Sequence, residues 1–249
     1  MINNDFVASL RRQGVKKSDL LLVHCSLKAL GYIEGGADSV IDSLLSAVGE
    51  EGTLLLPSLS YDNVCAPEYR FDLLNTPCCI GKIPETFRKR EGVFRSMHPT
   101  HSVCACGRLA TELLQQHKNS FTPAGNLSPF SLLRGRGAKL LMLGCGLSPN
   151  TSFHAIEEEA AVEYVLSPDE REYTLVYPDG RTDKKLYRYH YIEKNGFYQN
   201  YKRISELMDI TEFKILSAGA FLLDVDEMWE KALKALKNDP LFFVKPMRK

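Results

Sequence analysis

The sequence predicts an α/β fold on three observations. Short, largely apolar runs recur at Leu20 to Val23, Thr53 to Leu56 and Lys139 to Leu143, the length and composition of buried strands. Between the first two lies an amphipathic stretch with helical spacing, so the order is strand, loop, helix, strand, which feeds a sheet flanked by helices. At 249 residues the chain can bury a substantial core without disulfide staples, and residues 1–249 are read as a single domain.

Taken in order, NDFVASLRRQG forms a short helix closed by Gly14 and leads to the strand at Leu20. His24 to Gly31 reads as a loop ending in a helical turn. Gly35 to Asp38 open a helix with Val40, Ile41, Leu44, Leu45 and Val48 on one face, stopped by Gly49. After the second strand, ended by Pro57, the chain is irregular to Lys82, and a loop this long in a compact domain is more often functional than idle. Pro84 occupies the place of an N1 proline before a helix over Glu85 to Arg90. A strand at Val103 to Cys106 follows, then helices around Leu109 to His117 and Pro129 to Leu133. Beyond the Lys139 to Leu143 strand, Thr151 or Ser152 caps a further helix. EYTLVYP and KKLYRYHYI alternate around Asp179-Gly180, a hairpin signal. Helices over Phe197 to Met208 and Val225 to Leu236 complete the chain.

Composition narrows function. Thirty-one basic and 31 acidic side chains cancel, so no overall field draws the chain to nucleic acid. No run approaches the roughly 18 apolar residues of a membrane span, and the N-terminus lacks the apolar centre of a secretory signal; a cytoplasmic protein is expected. Seven cysteines, never in CxxC units, argue against a zinc ribbon or thioredoxin motif and read mainly as reduced, buried small hydrophobes.

Within Thr151-Ser152-Phe153-His154-Ala155-Ile156-Glu157-Glu158, His154 and Glu157 stand three apart and share a helix face. A carboxylate on one imidazole nitrogen fixes the tautomer and leaves the other free to take a proton. Spacing alone also fits a surface ion pair. In His98-Pro99-Thr100-His101-Ser102, two histidines three apart in a loop suggest metal ligands, but carboxylate or thiolate partners are missing at obvious spacing, so a hydrogen-bonded loop is favoured and no metal is expected. Tyr61 and Asp62 offer a phenol and a carboxylate from the irregular stretch. His24 and Ser26 follow a strand end, where open α/β sheets place ligands. GxGxxG and Walker sequences are missing, against dinucleotide and NTP binding of those types.

These segments, in order, resemble the aminoglycoside 3-N-acetyltransferase family. The likeness runs from about Asp19 to Val244 and rests on LLVHCSLKALGYIEGGADSVIDSLLSAVGEEGTLLLPSLSYD, TPCCIGKIPETFR, VFRSMHPTHSVCACG, NLSPFSLL, KLLMLGCGLSPNTSFHAIEE and ALKNDPLFFV. It implies a three-layer α/β/α sandwich with a mixed central sheet, and an acetyl-CoA cleft beside an amine pocket. His154 and Glu157 match the family's HxxE and become the expected catalytic pair, with acetyl-CoA as co-substrate and direct transfer to an aminoglycoside or other small amine. His24, Ser26, Leu27 and Lys28 carry over as CoA contacts, and Thr100 and Ser102 as contacts to the thioester end. Tyr61, Asp62 and His98 are expected on the acceptor side, and a homodimer is left open. Drug-modifying members commonly carry an acidic residue where this chain has Thr100 and His101, and EEAAVEYVLSPDEREY departs from their usual continuation. Glu158, Glu159 and Glu163 read as a solvated acidic helix face. Two other readings remain at this point. LLMLGCG is similar to the first motif of S-adenosylmethionine methyltransferases, though Ser148 stands where another glycine is usual, and a non-catalytic acyl-CoA or amine binder fits the same fold.

Overall fold

The computed structural model describes residues 1–247. Its first half runs α1 (Asn4–Arg12), β1 (Leu20–Cys25), α2 (Gly36–Val48), β2 (Thr53–Pro57), β3 (Arg70–Asp72), α3 (Lys82–Arg88), β4 (Phe94–Arg95), β5 (Val103–Gly107) and α4 (Ala110–Leu114). There follow α5 (Pro129–Leu132), β6 (Lys139–Leu143), α6 (Phe153–Glu159), β7 (Leu166–Val176), β8 (Thr182–His190) and β9 (Phe197–Gln199). The chain closes with β10 (Phe213–Ile215), β11 (Ala218–Asp224), α7 (Val225–Asn238) and β12 (Val244–Pro246).

The apolar runs form the centre of a seven-stranded sheet ordered β10-β11-β6-β1-β2-β5-β4. β6, β1 and β2 are parallel, while β11 and β5 pair antiparallel on either side, so the sheet is mixed. Alternation along these strands builds two cores. Leu20, Leu22, Leu55, Leu140 and Met142 face the layer of α4, α5, α6 and α7. Their neighbours Leu21, Val23, Leu54, Leu56, Leu141 and Leu143 face α1, α2 and α3. Strands buried on both faces carry unbroken apolar runs for this reason, and each fully buried leucine contributes about 1.5–3 kcal/mol. The three-layer α/β/α arrangement with a mixed sheet therefore stands.

A second sheet, β3-β7-β8, is the predicted hairpin with β3 added along its edge. Gly180 turns it at φ 80°, a conformation that favours glycine.

Several local expectations are corrected. Phe197 to Met208 is not a helix: β9 pairs with β12, and a 3-10 turn spans Tyr201–Glu206. Tyr201 and Ile204 are its core anchors, and a three-residue spacing suits a 3-10 turn as well as an α-helix. Pro84 sits third in α3, not first; all first-turn amides lack helical partners, so proline is tolerated there. Neither Thr151 nor Ser152 caps α6: Ser152 is helical in φ and ψ, and Asn150 Oδ1 accepts its amide at 3.1 Å. The helix expected at Leu109 to His117 is split into α4 and a 3-10 turn over His117–Asn119. All seven cysteines are free, but only Cys78 and Cys104 are buried and Cys65 is exposed. No helix among the described residues is long and apolar enough to cross a membrane.

Candidate active site

The link from β6 to α6 builds the site. Gly144 adopts φ 72°, and a Cβ there would lie 2.5 Å from the Ala29 Cβ. Only glycine lets the segment after β6 lie this close to the turn after β1. Two residues into α6, His154 is buried at 7% exposure and Glu157 at 0%. His154 Nδ1 lies 3.0 Å from Glu157 Oε2. The Tyr201 hydroxyl donates to the same oxygen at 2.9 Å and lies 3.0 Å from His154 Nδ1. Tyr164 donates to Oε1 at 2.8 Å. Phe153 stacks on Tyr201, with centroids 4.6 Å apart, and locks that ring. Burial, then the Glu157 charge, pushes both tyrosine hydroxyls up in pKa, so they remain donors. With Nδ1 assigned the proton toward Glu157, His154 Nε2 keeps its lone pair.

A second chain of polar groups stands beside the first. Thr100 Oγ1 lies 2.9 Å from His101 Nδ1, His101 Nε2 lies 3.2 Å from His190 Nδ1, and His190 Nε2 lies 2.9 Å from Glu158 Oε1. The His154 and His190 ring centroids are 4.0 Å apart. Burial, then neighbouring histidines, holds His101 and His190 well below the usual imidazole range. Burial pushes the Glu158 carboxyl up to about 7, despite the Ala124 amide that donates to it.

His154, Tyr201, Thr100, His101 and His190 border a cleft of about 1220 Å³, lined by residues from all three sheets and the loops between them. Of the sequence-predicted residues, His24, Ser26, Leu27, Lys28, Tyr61, Asp62, Thr100 and His154 line it, with Glu157 braced behind His154. Burial lowers His24 to about 3, and its Nε2 has no partner. Ser102 and His98 do not line it. The Ser102 hydroxyl donates to the Ser58 carbonyl at 2.6 Å and accepts from Arg95 Nε at 2.9 Å. His98 is wholly buried, stacked on His117 at 4.7 Å, and its Nδ1 accepts from the His101 amide at 3.1 Å. The solvated acidic face is corrected in part: Glu163 is exposed, but Glu158 and Glu159 are held. The Glu158 side chain is 6% exposed, and Glu159 accepts from Arg134 and Trp229.

Sequence reasoning missed His101, His190, Tyr164, Tyr201 and Glu158 as site groups. His101 lay within a flagged motif, whereas the alternating hairpin gave His190 no signal beyond its place at a strand end.

Architecture and site together place the chain among the α/β proteins that carry a histidine–carboxylate pair beside a small-molecule cleft. Residues 22–237 match the family model described as Aminoglycoside 3-N-acetyltransferase, and the chain belongs to that family. It is 33% identical over 178 residues, 64% of its length, to the SPbeta prophage-derived aminoglycoside N(3')-acetyltransferase-like protein YokD of Bacillus subtilis. It is 33% identical over 199 residues, 72% of either chain, to aminoglycoside N(3)-acetyltransferase III of Serratia marcescens. The matched segment spans 65% of the Bacillus protein and 59% of aminoglycoside N(3)-acetyltransferase IX of Micromonospora chalcea. The crystal structure of the Bacillus subtilis YokD protein superposes with a TM-score of 0.80 at 27% identity, covering 94% of this chain and 98% of that one. A mutant of aminoglycoside acetyltransferase AAC(3)-IVa in complex with a gentamicin gives 0.80 at 25% identity, over 97% and 90% of the two chains. AAC-IIIb in a binary complex with CoASH gives 0.81 over the whole of both chains at 21% identity, a likeness of fold.

Proposed function

We propose that the protein is an acetyl-CoA-dependent N-acetyltransferase that acylates a small amine by direct transfer, with His154 as general base. The observation that carries the reading is the buried His154–Glu157 pair, braced by two tyrosine hydroxyls, with the second imidazole nitrogen left without such a partner beside the cleft. An alkylammonium is inert toward a thioester, so the acceptor reacts as the free amine, its first proton released to solvent. His154 Nε2 takes a proton as nitrogen attacks the carbonyl carbon, and Glu157 holds the resulting imidazolium. When the C–S bond breaks, that proton passes to the departing sulfur, giving amide and free CoA thiol. General-base assistance of this kind is worth roughly 10² to 10⁴ in rate.

A cysteine-bound acyl intermediate is disfavoured. Cys25 and Cys145 line the cleft, but burial pushes Cys145 up to about 11 and Cys25 higher still, so neither presents a thiolate at neutral pH. Ser26, Leu27 and Lys28 form one wall, where Lys28 and Lys82 suit the phosphates of CoA. Thr100 is the remaining hydroxyl candidate for the thioester end.

The cleft's charge bears on the acceptor. With Lys28 and Lys82 engaged by the CoA phosphates, Arg171 and Lys194 balance Asp62 and Glu193 along it, so the remaining lining offers no excess of negative charge to hold a polycationic aminoglycoside and better fits an amine with few positive charges. The test is thiol release from acetyl-CoA across a panel of amines. The expected result is kcat/KM at least about tenfold higher for singly charged amines than for aminoglycosides. Preference for aminoglycosides rejects the acceptor assignment, and no thiol release with any amine returns the chain to a non-catalytic binder. Family membership leaves the methyltransferase reading without support.

A further inference from the structure

One ring nitrogen each of His101, His154 and His190 lies within 4.8 Å of the other two. These three imidazoles come from the β4–β5 connection, the start of α6 and the end of β8. A tetrahedral zinc ion with Zn–N bonds of about 2.0–2.1 Å needs its nitrogens roughly 3.4 Å apart, so inward shifts of about 1 Å complete a three-histidine set.

The other nitrogen of each ring is already held. Thr100 Oγ1 sits at His101 Nδ1, Glu157 Oε2 at His154 Nδ1 and Glu158 Oε1 at His190 Nε2, all within 3.0 Å. Ligating histidines are oriented in this way, by a carboxylate or other oxygen on the nitrogen remote from the metal. What remains without an oxygen partner is one nitrogen per ring, Nε2 of His101, Nε2 of His154 and Nδ1 of His190, the first and last of them 3.2 Å apart. In the metal-free chain, the proton between His101 and His190 occupies the place of a cation. Moving it to His101 Nδ1, facing Thr100, frees both lone pairs with no change of net charge. All three residues border the cleft, which leaves the fourth coordination position to solvent.

We propose that His101, His154 and His190 form a zinc-binding site whose occupancy switches acyl transfer off, because the ion takes His154 Nε2, the lone pair the reaction needs. The inhibitory half rests on the proposed base role of His154; the binding half rests on the three rings alone. Imidazole ligands suit zinc, and the carboxylates of Glu157 and Glu158 behind them offset its charge.

The experiment uses the full chain stripped with a chelator and titrated with Zn2+ alone by calorimetry. One ion per chain is expected, with affinity at least about tenfold weaker in both H101A and H190A. Co2+ added to the unaltered protein should give the strong visible bands of a four-coordinate site, a readout independent of any variant's folding. Acetyl transfer by the unaltered protein should fall as zinc fills the site and return with chelator. Absence of stoichiometric binding, binding unaltered in H101A and H190A, weak octahedral cobalt bands, or zinc-loaded protein turning over as fast as chelated protein overturns the proposal. Failure of the base role shows elsewhere, as retained metal-free turnover in H154A, while calorimetry still decides whether the three rings hold an ion.

Discussion

The Tyr201 hydroxyl donates to Glu157 Oε2 at 2.9 Å, across 44 residues of sequence, and ties the 3-10 turn after β9 to the helix that carries His154. Removing that hydroxyl in Y201F keeps the ring stacked on Phe153 and deletes one buried hydrogen bond, about 1–1.5 kcal/mol. With the carboxylate less firmly held, kcat should fall roughly tenfold while KM for acetyl-CoA stays within about twofold. Steady-state kinetics check this, and a change confined to KM contradicts a bracing role.

Gly144 sets the separation between the β6–α6 link and the turn that forms the proposed CoA wall. In G144A the new methyl meets the Ala29 Cβ at 2.5 Å on a backbone at φ 72°, an overpacking and strain cost of roughly 2–4 kcal/mol. The Ser26 to Lys28 turn should give way, lowering Tm and raising KM for acetyl-CoA severalfold, as thermal melts and initial rates would show.

Glu85 carries a pH-dependent share of stability. Burial alone would raise its carboxyl, but hydrogen bonds from Arg88, the Cys78 amide and Lys89 outweigh it and bring the group down to about 2. A carboxyl depressed in the folded state contributes fully above its unfolded value near 4.5, and the contribution is lost as pH falls toward about 2. Solvent screening of this partly exposed pair discounts the effect, so wild type should exceed E85Q by about 1 kcal/mol at pH 7, the difference shrinking below about pH 4.5 and vanishing near pH 2. Denaturant melts across that range test it, and a pH-independent difference contradicts it.

Much of the architecture was legible because the parallel strands are buried on both faces and their apolar runs carry no competing pattern. Leu20 to Val23 and Lys139 to Leu143 are readable for that reason. Edge elements were not: Phe94–Arg95 and Phe213–Ile215 are two and three residues long, too short to show a period. Within the site, His154 and Glu157 were visible because three-residue spacing on a helix implies contact. His190 and Tyr201 approach them only through the docking of the second sheet and the closing 3-10 turn, and contacts at such sequence separations leave no local trace. Ser102 shows the converse: it lies within a flagged motif, but its hydroxyl is turned inward to the Ser58 carbonyl and Arg95.

The central claim is that His154 accepts the amine proton, and the most direct measurement is single-turnover acetyl transfer by H154A at saturating acetyl-CoA, alongside calorimetric CoA affinity. Transfer should slow by about 10² to 10⁴ with CoA affinity unchanged within a few-fold. Transfer at the wild-type rate would contradict the claim.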